Sequence, residues 1–120
     1  MRSPLLYLSE MLDAARTIKD FTQSIEKETF LKDEKTRSAV AHQLFHQLLI
    51  LGEASKAVPA DIKLRAPNLD WRGMAGMRDR LIHAYFNVDY DLVWDTAKNR
   101  VPAVEKGLEK LIEDLNCSNF

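Results

Sequence analysis

The stretch Asp33-Glu34-Lys35-Thr36-Arg37-Ser38-Ala39-Val40-Ala41-His42-Gln43-Leu44-Phe45-His46-Gln47-Leu48-Leu49-Ile50-Leu51-Gly52-Glu53-Ala54-Ser55-Lys56-Ala57-Val58 sets the fold class. Val40, Leu44, Leu48, Leu51 and Ser55 recur at steps of three or four, the period of a helix that buries one stripe. Asp33 stands where an N-cap is needed and Pro59 follows the far end. The spacing therefore predicts one long helix from Asp33 to about Val58.

Upstream, Ser3 can cap a first helix with Pro4 at its first position. Leu5, Leu8, Leu12, Ala15 and Ile18 keep helical spacing, so this helix is expected to reach Phe21 or beyond. Residues 26–33 mix charge with Thr29, Phe30 and Leu31 and read as a connection or short turn. Downstream, 59–75 is the irregular part. A short helix through Asp61–Ala66 should stop at Pro67, Asn68-Leu69-Asp70 reads as a turn, and Asp70 can cap a brief helix over Trp71–Ala75. Residues 76–86 make a further helical element. Asp89 is placed to cap a last helix, with Val88 and Val93 as a hydrophobic staple. That helix carries Val93, Ala97, Val101, Val104, Leu108, Leu111 and Leu115, and Pro102 should kink or break it. No sustained alternation suggests a strand. The expectation is an all-α chain, residues 1–120 forming a single domain: an up-and-down bundle of four or five helices.

The composition agrees. A chain of 120 residues, 46% hydrophobic and 29% charged, suits one soluble core. No apolar run approaches the roughly 18 residues of a membrane span, and Met1–Glu10 lacks an adequate signal-peptide apolar region. A cytoplasmic location and no membrane partner are the default expectations. Cys117 is the sole cysteine and has no internal partner for a disulfide. A net charge of −1 argues against a dedicated duplex nucleic-acid binder. The local balance differs. Residues 55–83 hold six bases (Lys56, Lys63, Arg65, Arg72, Arg78, Arg80) against Asp61, Asp70 and Asp79, a net of +3, whereas 84–120 hold seven acids and four bases, a net of −3. The positive third suits contact with a few phosphates or an acidic partner.

That third contains Gly76-Met77-Arg78-Asp79-Arg80-Leu81-Ile82-His83-Ala84-Tyr85-Phe86. Arginine matches phosphate with a planar fork of donors, histidine moves protons near neutral pH, and a tyrosine hydroxyl accepts a covalent group or donates a hydrogen bond. Together they suggest chemistry on a phosphodiester. Spacing alone does not establish it. Five residues of helix turn about 500°, leaving Arg78 and His83 roughly 140° apart with about 7.5 Å of rise. A joint site needs a wrapped arginine, a helix ending near His83, or a facing wall from a second copy. The plain alternative has Arg78 and Arg80 as solvated charges and His83 as a helix C-terminal cation; on spacing alone it carries more weight.

Other candidates are weaker. His42 and His46 stand four apart, a spacing that can hold a metal, but no Glu or Cys completes a set nearby, so no metal and no cofactor are expected. Glu53 interrupts an apolar stripe and is either a buried partner for an arginine or an ordinary boundary residue. Trp71 and Trp94 read as core or interface aromatics. A phosphate-binding glycine loop, a serine elbow and a Cys-x-x-Cys pair are all missing.

Gly76–Phe86, with Gly52-Glu53-Ala54 upstream and Val88-Asp89-Tyr90-Asp91-Leu92-Val93-Trp94 downstream, resembles the HEPN superfamily, specifically its HepT-like toxin branch. Arg78, His83 and Tyr85 carry that branch's Arg-x-x-x-x-His-x-Tyr pattern, and the likeness runs from Tyr7 to about Leu115. The Asp33–Val40 helix start and the Asp70-Trp71-Arg72 turn also fit. The repeated His-Gln-Leu lengthens the second helix by about one turn relative to the branch. The resemblance implies a homodimeric helical bundle whose two motif helices meet at a cleft. It implies a metal-independent endoribonuclease, the toxin of a toxin–antitoxin pair. Arg78 and His83 would be catalytic and Asp79 and Glu53 supporting. Tyr85 would accept AMP from a small nucleotidyltransferase antitoxin of the MNT type. The alternative is a non-catalytic helical module that scaffolds such a nucleotidyltransferase.

Overall fold

Helices form where capping residues and apolar spacing coincide. The computed structural model describes the backbone of residues 3–83 and 90–118, and the side chains within them except at 36, 38, 78, 81–83 and 118. Helix α1 (Pro4–Ser24) begins where the Ser3 hydroxyl accepts from the Leu5 amide at 3.3 Å. It buries Leu8, Met11, Leu12, Ala15 and Ile18. Helix α3 (Glu34–Ala57) begins where the Asp33 carboxylate accepts from the Lys35 amide at 3.2 Å. Val40, Leu44, Leu48, Leu51 and Ser55 are all buried along it, as the spacing requires.

Residues 26–33 depart from the expected connection: Lys27–Lys32 form helix α2. The reason is Phe30. Its side chain is fully buried, with its ring centroid 5.0 Å from that of Trp94 and 6.3 Å from that of Tyr90. Chain that carries an aromatic into the core must satisfy its own backbone groups, and one helical turn does so. The Phe30 amide donates to the Glu26 carbonyl and the Asp33 amide to the Thr29 carbonyl. Asp33 thus closes α2 with its amide and opens α3 with its carboxylate. Arg37 ties the two together, donating to the Leu31 carbonyl at 3.2 Å while its guanidinium lies 4.8 Å over the Tyr90 ring.

Helix α4 (Ala60–Lys63) is shorter than expected and gives way to turns at Arg65 and Ala66. Pro67 disfavours helical backbone at the residue before it, which stops α4 early. Helix α5 runs unbroken from Trp71 to His83, joining what the sequence divides at Gly76. A glycine costs a helix about 1 kcal/mol. Burial of Met74 and Met77 on either side of Gly76 offsets it.

The last rod comprises α6 (Tyr90–Asp95), a π-helical segment (Thr96–Arg100) and α7 (Val101–Ser118). Pro102 explains the π segment. Its missing N–H and its ring are incompatible with a tight α turn onto Lys98. The backbone widens instead, and the Val101 amide reaches the Thr96 carbonyl five residues back. The expected kink is therefore a wide turn inside a continuous rod. Val93, Ala97, Val101, Val104, Leu108, Leu111 and Leu115 are all buried. The proposed staple residue Val88 and cap Asp89 lie outside the described residues.

Helix α3 is the centre: α1, α2, α5 and α6 pack on it, and α7 packs on α1. The described residues contain no strand, and none of their helices is long and apolar enough to cross a membrane. Polar clasps line the seams. Glu105, buried on α7, accepts from Lys19 at 3.2 Å. Lys27 joins α2 to α6 through Asp95 at 3.1 Å and Asp91 at 3.5 Å. The Asp95 hydrogen bond leads in raising the Lys27 pKa above 10.5. Because the folded value is the higher one, this clasp is complete below the unfolded value and is lost as pH rises through the folded one.

Phe30→Ala should destabilise the chain by about 3–5 kcal/mol, the range for emptying a buried aromatic site, measured by urea unfolding followed through tryptophan fluorescence. A loss within about 1 kcal/mol would mean that α2 is not held by its aromatic.

Candidate active site

The start of α5 is fixed from three directions. The Asp70 carboxylate accepts from the Gly73 amide at 2.9 Å and caps the helix. A Cβ at Gly73 would collide with that carboxylate, so the cap needs glycine there. Leu69, one residue earlier, is buried against α7, where a Cβ at Gly107 would collide with it. Trp71 donates through its indole N–H to the Ala66 carbonyl at 3.0 Å, and Lys63 stands 5.8 Å over its ring. The turn expected at 68–70 is thus a docking point for the whole helix.

Met74 and Met77 hold α5 to the core, while Arg72, Asp79 and Arg80 are exposed. Arg78 and His83 both lie on this one helix, at backbone positions about 140° apart around its axis. Their side chains, and Tyr85 as a whole, lie outside the described residues. Asp79 accepts from Lys56 of α3 at 3.0 Å, with both side chains 40% exposed or more. Such a pair contributes under about 1 kcal/mol, so its effect is to fix a carboxylate beside the Arg78 position rather than to hold the fold. Glu53 is exposed on α3 rather than buried, because residue 53 falls off the Leu48, Leu51, Ser55 stripe.

His42 and His46 are both exposed, and no group of three or more His, Cys, Asp or Glu suited to a metal occurs among the described residues. Cys117 is free and exposed. Trp94 is core and Trp71 half-buried. Lys56, Arg72 and Arg80 are exposed on α3 and α5, which puts the positive third of the sequence around the motif helix. A cavity of about 330 Å³ adjoins the same helix, between α3, α5 and the π segment. Only the pairing of Pro102 with successive four-residue apolar steps hints at it in the sequence.

Asp70→Ala should cost about 1 kcal/mol, the usual worth of an N-cap. It should speed amide exchange at Gly73 and Met74 ahead of α3. Unchanged exchange there would show that the cap does not hold the start of α5.

The family profile described as Ribonuclease HepT-like matches residues 11–111. A Thermococcus cleftensis protein named as a probable ribonuclease HepT is 46% identical over 92% of this chain and 96% of its own length. A Methanocaldococcus jannaschii protein with a provisional RNase name is 39% identical over 91% of this chain and 87% of its own. A third, from Caldanaerobacter subterraneus and named in the same provisional way, is 31% identical over 94% and 97%. No solved structure matches significantly. With the profile spanning most of the helical core and these relatives aligned nearly end to end, the chain belongs to the HepT-like family of ribonucleases.

Proposed function

We propose that this ribonuclease-family chain is a metal-independent endoribonuclease toxin, acting as a homodimer and silenced by AMP on Tyr85. The observation that carries the reading is the family match, which spans a single helix holding both Arg78 and His83. Their angular separation on one helix motivates the dimer: two-fold pairing of α5 with its copy would bring both residue types to one groove. The positive balance of residues 55–83 suits a phosphate backbone there.

RNA supplies its own nucleophile. His83 takes the proton of the 2′-hydroxyl as that oxygen attacks phosphorus. The P–O5′ bond breaks, and the departing 5′-oxygen gains a proton from the second histidine of the dimer or from water. Arg78 binds the non-bridging oxygens and stabilises the charge they gain in the transition state. The products are a 2′,3′-cyclic phosphate and a free 5′-hydroxyl. Asp79 and Glu53 act as supports: Asp79 orients Arg78 or a histidine across the dimer, and Glu53 adds a carboxylate on α3. AMP on Tyr85, transferred from ATP by a partner nucleotidyltransferase of the MNT type with release of pyrophosphate, would put bulk and negative charge where RNA must enter.

Purified protein should cut RNA in EDTA. Arg78→Ala and His83→Ala should each lower the rate by about 10²–10⁴-fold without altering urea unfolding. Full activity in both variants would remove the assignment. Incubation with the partner enzyme and ATP should add AMP-sized mass to the wild type and none to Tyr85→Phe. Label on the phenylalanine variant would place the acceptor elsewhere.

A further inference from the structure

The cavity between α3, α5 and the π segment has no role in the chemistry just described. Its volume of about 330 Å³ is that of a small-ligand site. Its floor is apolar, with Leu48, Leu51, Met74, Met77, Val101 and Val104. Its rim is polar, with Asn68 and Asp70 from the turn and Asn99 and Arg100 from the π segment. Asn68, Asn99 and Arg100 are exposed, and Asn99 and Arg100 make no side-chain hydrogen bond or ion pair among the described residues. Asp70 is occupied as the cap of α5, which leaves no carboxylate set for a metal.

An apolar slot edged by amides and a guanidinium has a specific chemical complement. The thioethers of Met74 and Met77 make favourable contacts with an aromatic ring. Side-chain amides pair with the donor and acceptor edge of a base, and a guanidinium stacks on a base or holds a phosphate. A lipid chain would leave the amides unmatched, and a lone anion would leave the apolar floor bare. The setting agrees: Arg78 follows Met77 directly, one helical turn after Met74, so the slot and the motif share α5.

We infer that this cavity is a nucleobase-binding subsite, taking the base of a nucleotide beside the scissile phosphate and setting base preference at the cut. The RNA-borne form of the inference rests on the ribonuclease reading; a free nucleotide would present the same chemistry. Asn99 reads the base edge, Arg100 holds the adjoining phosphate, and Met74 and Met77 bear the ring.

The test uses the full chain with ¹³C-methyl methionine. AMP, GMP, CMP and UMP are titrated separately into the millimolar range. At least one should shift the Met74 and Met77 methyls saturably and spare Met11 on α1. Ala103→Trp, at an exposed position on the cavity wall, should weaken that binding about ten-fold or more. With short RNAs differing in one base beside the cut, Asn99→Ala should level the preference several-fold while cutting persists. Saturable methyl shifts with unaltered cutting preference would assign the slot to free nucleotide. Methyl shifts from a wild type that cuts no RNA would sink the ribonuclease reading and keep the base site. No saturable shift from any of the four, in protein that does cut RNA, would overturn the inference alone.

Discussion

The packing of α3 against α1 on one side and α5 on the other is the constraint on which everything else rests. A helix with neighbours on several sides needs more than one apolar stripe. Beyond its fully buried row, α3 therefore presses Phe45, Leu49 and Ile50 against the core as partly buried residues. The cost is a helix with little free polar face. What remains exposed includes His42, His46, Glu53 and Lys56. Lys56 meets the motif helix through Asp79.

The fold was legible wherever burial and period coincide. The limits of α1 and α3, and every apolar position named on α7, follow from three- and four-residue steps bounded by caps. α2 was hidden because six residues hold too little period to register, and its single anchor, Phe30, looks like any hydrophobic residue in a loop. The division of α5 at Gly76 failed for the opposite reason: glycine weakens a helix locally, while the two methionines beside it are held by tertiary packing that spacing cannot see.

The candidate site was legible as chemistry and not as shape. Arginine, histidine and tyrosine within eight residues declare a preference for phosphate and proton transfer. Nothing in that string tells where a partner would stand. Glu53 shows the gap. Its interruption of an apolar stripe left a buried partner for an arginine and an ordinary boundary residue both open, and its angular position on α3 leaves it exposed. The anchoring of α5 was also partly concealed: the Asp70 cap could be read, but the fit of Leu69 onto Gly107 joins residues 38 positions apart and follows no local rule.

The π turn before Pro102 acts as a phase shifter. It accommodates the lag between the four-residue steps Val93, Ala97, Val101 and the tighter rhythm of α7. Deleting one residue from 96–100 would restore ordinary winding and leave α7 nearly in phase, because the wide turn spends five residues on a rotation that four residues of α-helix complete. Leu108 and Leu111 would keep their place, and the cost would fall on Pro102, whose ring would then press on the carbonyl four residues before it. The extra residue in this segment and the proline that follows it are therefore coupled, and a chain that lost one would be expected to lose the other.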